Sequence, residues 1–201
     1  MKIKLEPNFY PVLLPITLIG ANVNGKPNFQ TTCLIGLIGN QPMTVAVTIG
    51  RTHHTIKGIL ENSTFSINIP SEDLVVETDY CGITSGSKVD KSEVFSVFYG
   101  ELESAPMIEE CKLTMECKVI DQKEIGPGGR GICFTGEIIK VYADEAIMVK
   151  RARYHGEKTD DQIPSLAKLL PLIGAESGYY HGIGKSVANT YSVGKEYKKK
   201  K

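Results

Sequence analysis

No stretch of the 201-residue sequence reaches the roughly 18 consecutive apolar residues of a membrane-crossing helix. Charge of one sign is also missing. Lys plus Arg number 23 against 23 Asp plus Glu, so the chain lacks the basic field on which nucleic-acid affinity rests. The closing run Lys198 to Lys201 reads as a solvated, frayed end. Met1 to Pro7 holds two lysines but no apolar stretch leading to a small-residue cleavage site, so no secretory signal is visible and a cytoplasmic location is expected. The five cysteines are an odd number with no C-x-x-C spacing, in a chain too long to need covalent staples. They read as reduced, buried thiols and not as a metal site, with Cys111 and Cys117 expected on one face of a strand. Nucleotide-loop, zinc-protease and nucleophile-elbow signatures are absent. Gly126 to Gly131 superficially resembles a phosphate loop, but it separates two strand-like segments with no helix after it and reads as a hairpin turn.

What is present is a series of short β segments with a few helices between them, in one domain over residues 1–201 whose tail from about 195 lies outside the fold. Ile16 to Val23 is strand-like, Asn24-Gly25 is a tight-turn signal, and Asn28 to Ile35 reads as the returning strand. Gln41-Pro42 breaks the chain before Met43 to Ile49, rich in β-branched residues. Thr52 suits the N-cap of a helix carrying Ile56, Ile59 and Leu60 on one face, closed by Asn62. Thr64 to Ile69 alternates as a strand, and Ser71-Glu72-Asp73 suits the first turn of a second helix. Cys81 to Ser92 reads as a loop, Val94 to Gly100 as a short strand, Leu113 to Ile120 and Ile132 to Tyr142 as a strand pair, and Ile163 to Leu170 as a helix. This order predicts an α+β, mostly β fold, an antiparallel barrel with peripheral helices rather than a parallel doubly wound sheet.

Three polar clusters interrupt the pattern. Asn28 to Cys33 sets hydroxyl and amide groups on both faces of a strand, which serves either a ligand at a barrel mouth or a plain edge strand. Thr48 to Thr55 runs a strand through Gly50 into a helix, with Arg51, Thr52 and Thr55 as donors. The geometry fits a phosphate at the positive end of the helix and equally an ordinary capped helix with a solvated arginine. Thr84 to Lys91 joins hydroxyls to two lysines, either closing over a phosphate or remaining a solvated loop.

In this order Pro15 to Ala21, Asn28 to Cys33, Thr48 to Thr55, Phe65 to Asn68 and Ser85 to Lys91 resemble the flavin reductase-like, FMN-binding split-barrel family, especially its flavoredoxin branch, over roughly residues 8–195. The resemblance implies a six-stranded Greek-key split barrel, a homodimer and non-covalent FMN near the dimer interface. It places Asn28, Thr31, Thr32 and Cys33 along the isoalloxazine and ribityl chain. Thr48, Gly50, Arg51, His54 and Thr55 would face the flavin and its phosphate, with Ser85, Lys88 and Lys91 as additions. Many family members have serine or alanine at the position of Cys33, and no redox role is expected for its thiol. Three functions follow: reduction of bound FMN by NADH or NADPH with onward transfer to flavin, ferric iron or another small acceptor; electron exchange with a redox protein; and ligand binding without redox chemistry. The dimer contact is expected near Tyr179 to Tyr191.

Overall fold

The structure, a computed structural model, describes residues 4, 13–151, 153–154, 157–158, 161–174 and 178–186. Seven strands form its main sheet: β1 (Thr17–Val23), β2 (Lys26–Thr32), β3 (Ile35–Asn40), β4 (Met43–Gly50), β5 (Thr64–Asn68), β6 (Leu113–Ile125) and β7 (Gly131–Ala143). Their order is β2-β1-β5-β6-β7-β4-β3, every neighbouring pair antiparallel. The helices are α1 (Thr55–Asn62), α2 (Val75–Ile83) and the single turn α3 (Leu166–Leu169).

The β1–β2 hairpin closes because Asn24 and Gly25 both take positive φ (51° and 75°), the conformation a two-residue turn matched to strand twist requires. Alternation then sorts the side chains. Ile19 and Ala21 of β1, Phe65 and Ile67 of β5, Val45, Val47 and Ile49 of β4, and Phe134 of β7 face one core, onto which α1 lays Ile56 and Ile59. Leu18 and Phe29 face the other side, with Cys81, Phe95, Ile108 and Cys111. β5 is buried throughout. Its Asn68 amide donates to the Leu18 carbonyl (3.1 Å) and accepts from the Ile108 N–H (2.9 Å), which satisfies polar groups that burial would otherwise penalise.

Several boundaries differ from the sequence reading. The six-strand expectation is corrected to seven strands, with β2 and β3 as edges rather than a closed barrel. The returning strand ends at Thr32, and after Cys33-Leu34 the chain enters β3, which pairs with β4. Thr52 does not cap α1. Residues 51–54 form a turn, His53 N–H donating to Gly50 O (3.0 Å), and the helix begins at Thr55 behind His54. Leu60 is 47% exposed, so the buried face is Thr55, Ile56, Gly58 and Ile59. A Cβ on Gly58 would lie 2.3 Å from the Asn22 carbonyl oxygen, and that contact explains how closely α1 packs on β1. Asn62 does close the helix, donating to Gly58 O and Asn22 O.

α2 runs to Ile83, so the loop starts at Thr84. The strand expected within 94–100 is Val97–Phe98, paired with Met107–Ile108. Gln162–Pro164 is a strand against Met148–Lys150, and α3 starts only after Pro164, because proline disfavours helical backbone in the residue before it. Cys111 precedes β6 and belongs to the second core, whereas Cys117 lies in the first, so the two share no strand face. All five cysteines are free.

Tyr180–His181 pairs with Ile173–Gly174, which pairs with Leu14–Pro15. The rest of the expected contact segment, 187–191, lies outside the described residues, as do the tail from 195 and the Lys198–Lys201 run. Of Met1–Pro7 only Lys4 is described. Among the described residues no helix is long and apolar enough to cross a membrane, and no cluster of His, Cys, Asp and Glu is arranged to hold a metal ion.

Candidate functional site

Two adjoining cavities open where β2, the start of α1 and the loop after α2 meet. The first, about 190 Å³, is lined among others by Asn28, Gln30, His54, Thr55, Ser85 and Lys91. The second, about 410 Å³, is lined by Lys26, Lys88 and Asp90 among others, and shares Asn28, His54, Gly86 and Lys91 with the first. Alternation along β2 turns Asn28 and Gln30 the same way, and both are buried.

Lys91 is the electrostatic centre. It is 3% exposed, and its ammonium donates to the carbonyls of Phe29 (3.0 Å) and Cys81 (2.8 Å). Among the described residues no carboxylate pairs with it. An ammonium has three donors, so one N–H remains beyond those two carbonyls. Burial pulls its pKa down, the expected response of a desolvated cation without a counter-ion. His54 is also held below its ordinary value, first by burial and then by the positive charges of Lys57 and Lys91. Its Nδ1 and the Oε1 of Gln30 are buried without a hydrogen-bond partner among the described residues.

α1 adds to this field. Its first turn carries no acidic residue and no side chain caps it, so its leading N–H groups keep their positive character. Asn28 Nδ2 donates to Thr55 Oγ1 (2.6 Å) and thereby joins β2 to the helix start. A buried lysine without a counter-ion, an uncapped helix N-terminus, and threonine and serine hydroxyls form a donor set suited to a phosphoryl group.

Of the residues singled out from sequence, the fold brings Asn28, His54, Thr55, Ser85 and Lys91 together, with Lys88 in the adjoining cavity. Ser85 Oγ is within 2.9 Å of Ser87 Oγ. The others lie elsewhere. Thr31 Oγ1 donates to the Thr78 carbonyl, and Thr32 Oγ1 accepts from Leu34 N–H (3.2 Å). Cys33 lines a separate, mainly apolar pocket of about 300 Å³ with Leu14, Ile16 and Tyr180, and burial pushes its thiol pKa up. Thr48 and Gly50 pair with Cys133 and Gly131 of β7. Arg51 turns onto the β6–β7 hairpin, donating through Nε to Gly129 O (2.6 Å) and pairing with Glu124, so it does not line either cavity. Gln30, Thr84 and Gly86, which fall inside the polar clusters of the sequence but were given no site role there, also line the first cavity, as do Thr52 and His53. The period of two from Asn28 marks Gln30, but nothing local distinguishes Gly86 from other loop glycines.

A profile of the flavin reductase like domain matches residues 11–159, and the chain belongs to that family. Among solved structures it is similar to a flavoredoxin from Methanosarcina acetivorans, 37% identical, with a TM-score of 0.85 and coverage of 98% of this chain and 99% of that one. A flavoredoxin of Desulfovibrio vulgaris (Miyazaki F) is 31% identical, with a TM-score of 0.82 and coverage of 96% and 100%. An uncharacterized protein from Archaeoglobus fulgidus is 30% identical over 139 residues, 68% of this chain and 75% of that protein.

Proposed function

We propose that the protein is an FMN-binding redox protein that accepts electrons on bound FMN and passes them to an acceptor, in a half-closed Greek-key split barrel. The observation that carries this reading is the uncompensated Lys91 ammonium facing two cavities beside the uncapped start of α1. In this reading Lys91, Thr55, Ser85 and the α1 N–H groups bind the phosphate and Asn28 fixes Thr55. Bound FMN supplies a ring that can take up hydride and release electrons singly or in pairs. The chain's own task is then to hold the anion, orient the ring and limit water around it, which needs no acid–base constellation.

Two donors fit: NADH or NADPH as a flavin reductase would use, with flavin or ferric iron as acceptor, and a redox protein. Similarity to two flavoredoxins over nearly the whole chain favours the second as the alternative. Stopped-flow mixing of the FMN-loaded protein with NADH and NADPH separates them. Rapid bleaching of the flavin band supports the reductase, reduction only by a protein donor supports the carrier, and a colourless preparation that does not bind added FMN removes both.

The reading includes a cytoplasmic homodimer. Leu34, Leu37, Ile38 and Met43 are 42–67% exposed around the β3 edge, an apolar strip that a second copy would cover. A monomer of full FMN affinity in light scattering would argue against it.

Arg51 has a positioning role here. Its ion pair is exposed on both sides, so Arg51→Ala is expected to weaken FMN and riboflavin together by no more than about fivefold. A loss confined to FMN would instead put the guanidinium on the phosphate.

The lowered pKa of His54 gives a pH dependence. An adjacent phosphate favours imidazolium and so raises that pKa on binding. FMN affinity should therefore rise as pH falls through the bound-state pKa of His54 and level off below its free-state value. His54→Gln removes this component, and the wild-type-minus-variant difference in binding free energy against pH separates it from protonation of the phosphate itself. A pH-independent difference would take His54 away from the anion.

A further inference from the structure

We propose that Gln30 is a specificity-determining residue whose Oε1 takes a hydrogen bond from a hydroxyl of the bound ligand, so that the first cavity selects a polyol phosphate over a plain alkyl phosphate. The inference rests on the FMN reading above and names a contact within it.

Gln30 is 4% exposed, and its Oε1 is buried with no partner although it lines a cavity. An unsatisfied buried acceptor is costly, and native structures rarely leave one unless a ligand or water completes it. None of the donors that line the cavity is hydrogen-bonded to Gln30 Oε1 among the described residues. Asn28 Nδ2 holds Thr55, and Lys91 holds two carbonyls. Gln30 sits two residues from Asn28 on the same strand face, and both residues line the cavity that also holds Thr55 and Lys91. At neutral pH a phosphate monoester is mainly the dianion and has no proton to offer there. A hydroxyl on the chain next to the phosphate does, and the ribityl chain of FMN carries such hydroxyls. The site therefore combines groups for an anion with an acceptor for a neutral hydroxyl donor.

The test is a two-by-two cycle of binding constants by flavin fluorescence. It uses the wild-type protein and Gln30→Met, a near-isosteric change, each titrated with FMN and with an FMN analogue whose ribityl chain is replaced by an unsubstituted pentyl phosphate chain. Gln30→Met is expected to weaken FMN about tenfold and to leave the pentyl analogue unchanged or tighter. Equal losses for both ligands would assign Gln30 a packing role and overturn the proposal, with Gln30→Leu, which also lacks the acceptor, as a second variant should the methionine fail to fold. Unchanged FMN affinity in the methionine variant would assign the carbonyl to a water molecule and overturn it equally. Absence of FMN binding to the wild-type protein would remove the FMN reading itself, an outcome separate from either of these.

Discussion

Lys91→Met is expected to weaken FMN binding by about a hundredfold while affecting riboflavin, which lacks the phosphate, far less. Methionine preserves much of the side-chain volume and removes only the charged head. A charge-assisted hydrogen bond in a site this buried is worth about 1.5–3 kcal/mol, which converts to tenfold or more in affinity. The upper end applies because, among the described residues, no carboxylate competes with the ligand for the ammonium. The same substitution leaves the carbonyls of Phe29 and Cys81 without their donor, at about 1–3 kcal/mol each if water does not replace it. The thermal midpoint should therefore fall as well, and the ratio of FMN to riboflavin affinity, measured well below the melting transition, isolates the charge. Equal losses for the two flavins would reduce Lys91 to a structural clamp between β2 and α2.

That dual role could not be read from sequence. Lys91 looked like one of two lysines in a polar loop, and only the fold shows it driven under β2 to reach a backbone carbonyl 62 residues away in the chain. Local signals performed better where local chemistry decides. Asn24-Gly25 specified its hairpin, and the β-branched run from Met43 gave a strand of nearly the expected length. The alternation from Thr64 found β5, although nothing in it revealed that both faces would be buried. The errors share a cause, competition between tertiary contacts and local propensity. Thr52 has the chemistry of an N-cap, yet Arg51 is held to the β6–β7 hairpin, which keeps residues 51–54 in a turn and delays the helix to Thr55. For the same reason Arg51 points away from the cavities that its sequence neighbours line. The expected returning strand runs on to Ile35 because Cys33-Leu34 carries no turn signal, and β3 beyond it has no signal of its own in the sequence. The break is set by pairing with β4 rather than by residue type.

Gly86→Ala should reduce FMN affinity by about ten- to a hundredfold, with a smaller loss of stability. Gly86 does not use a positive φ, so alanine adds no backbone strain, and the effect comes from space alone. A Cβ there would lie 1.9 Å from Asn28 Oδ1 and 3.1 Å from His54 Cδ2. Asn28 cannot yield freely, because it is 5% exposed and its amide holds Thr55 Oγ1 at 2.6 Å. The added methyl must either break that hydrogen bond or move the loop, and overpacking of this kind costs about 1–3 kcal/mol. The loop is a wall shared by both cavities and has a partly exposed outer side, so the loss falls on the site more than on the core. A double-mutant cycle tests the mechanism. In an Asn28→Ala background the methyl has room, so Gly86→Ala should there cost less than about threefold. If the alanine weakens FMN binding equally in both backgrounds, the contact with Asn28 is not how Gly86 shapes the site.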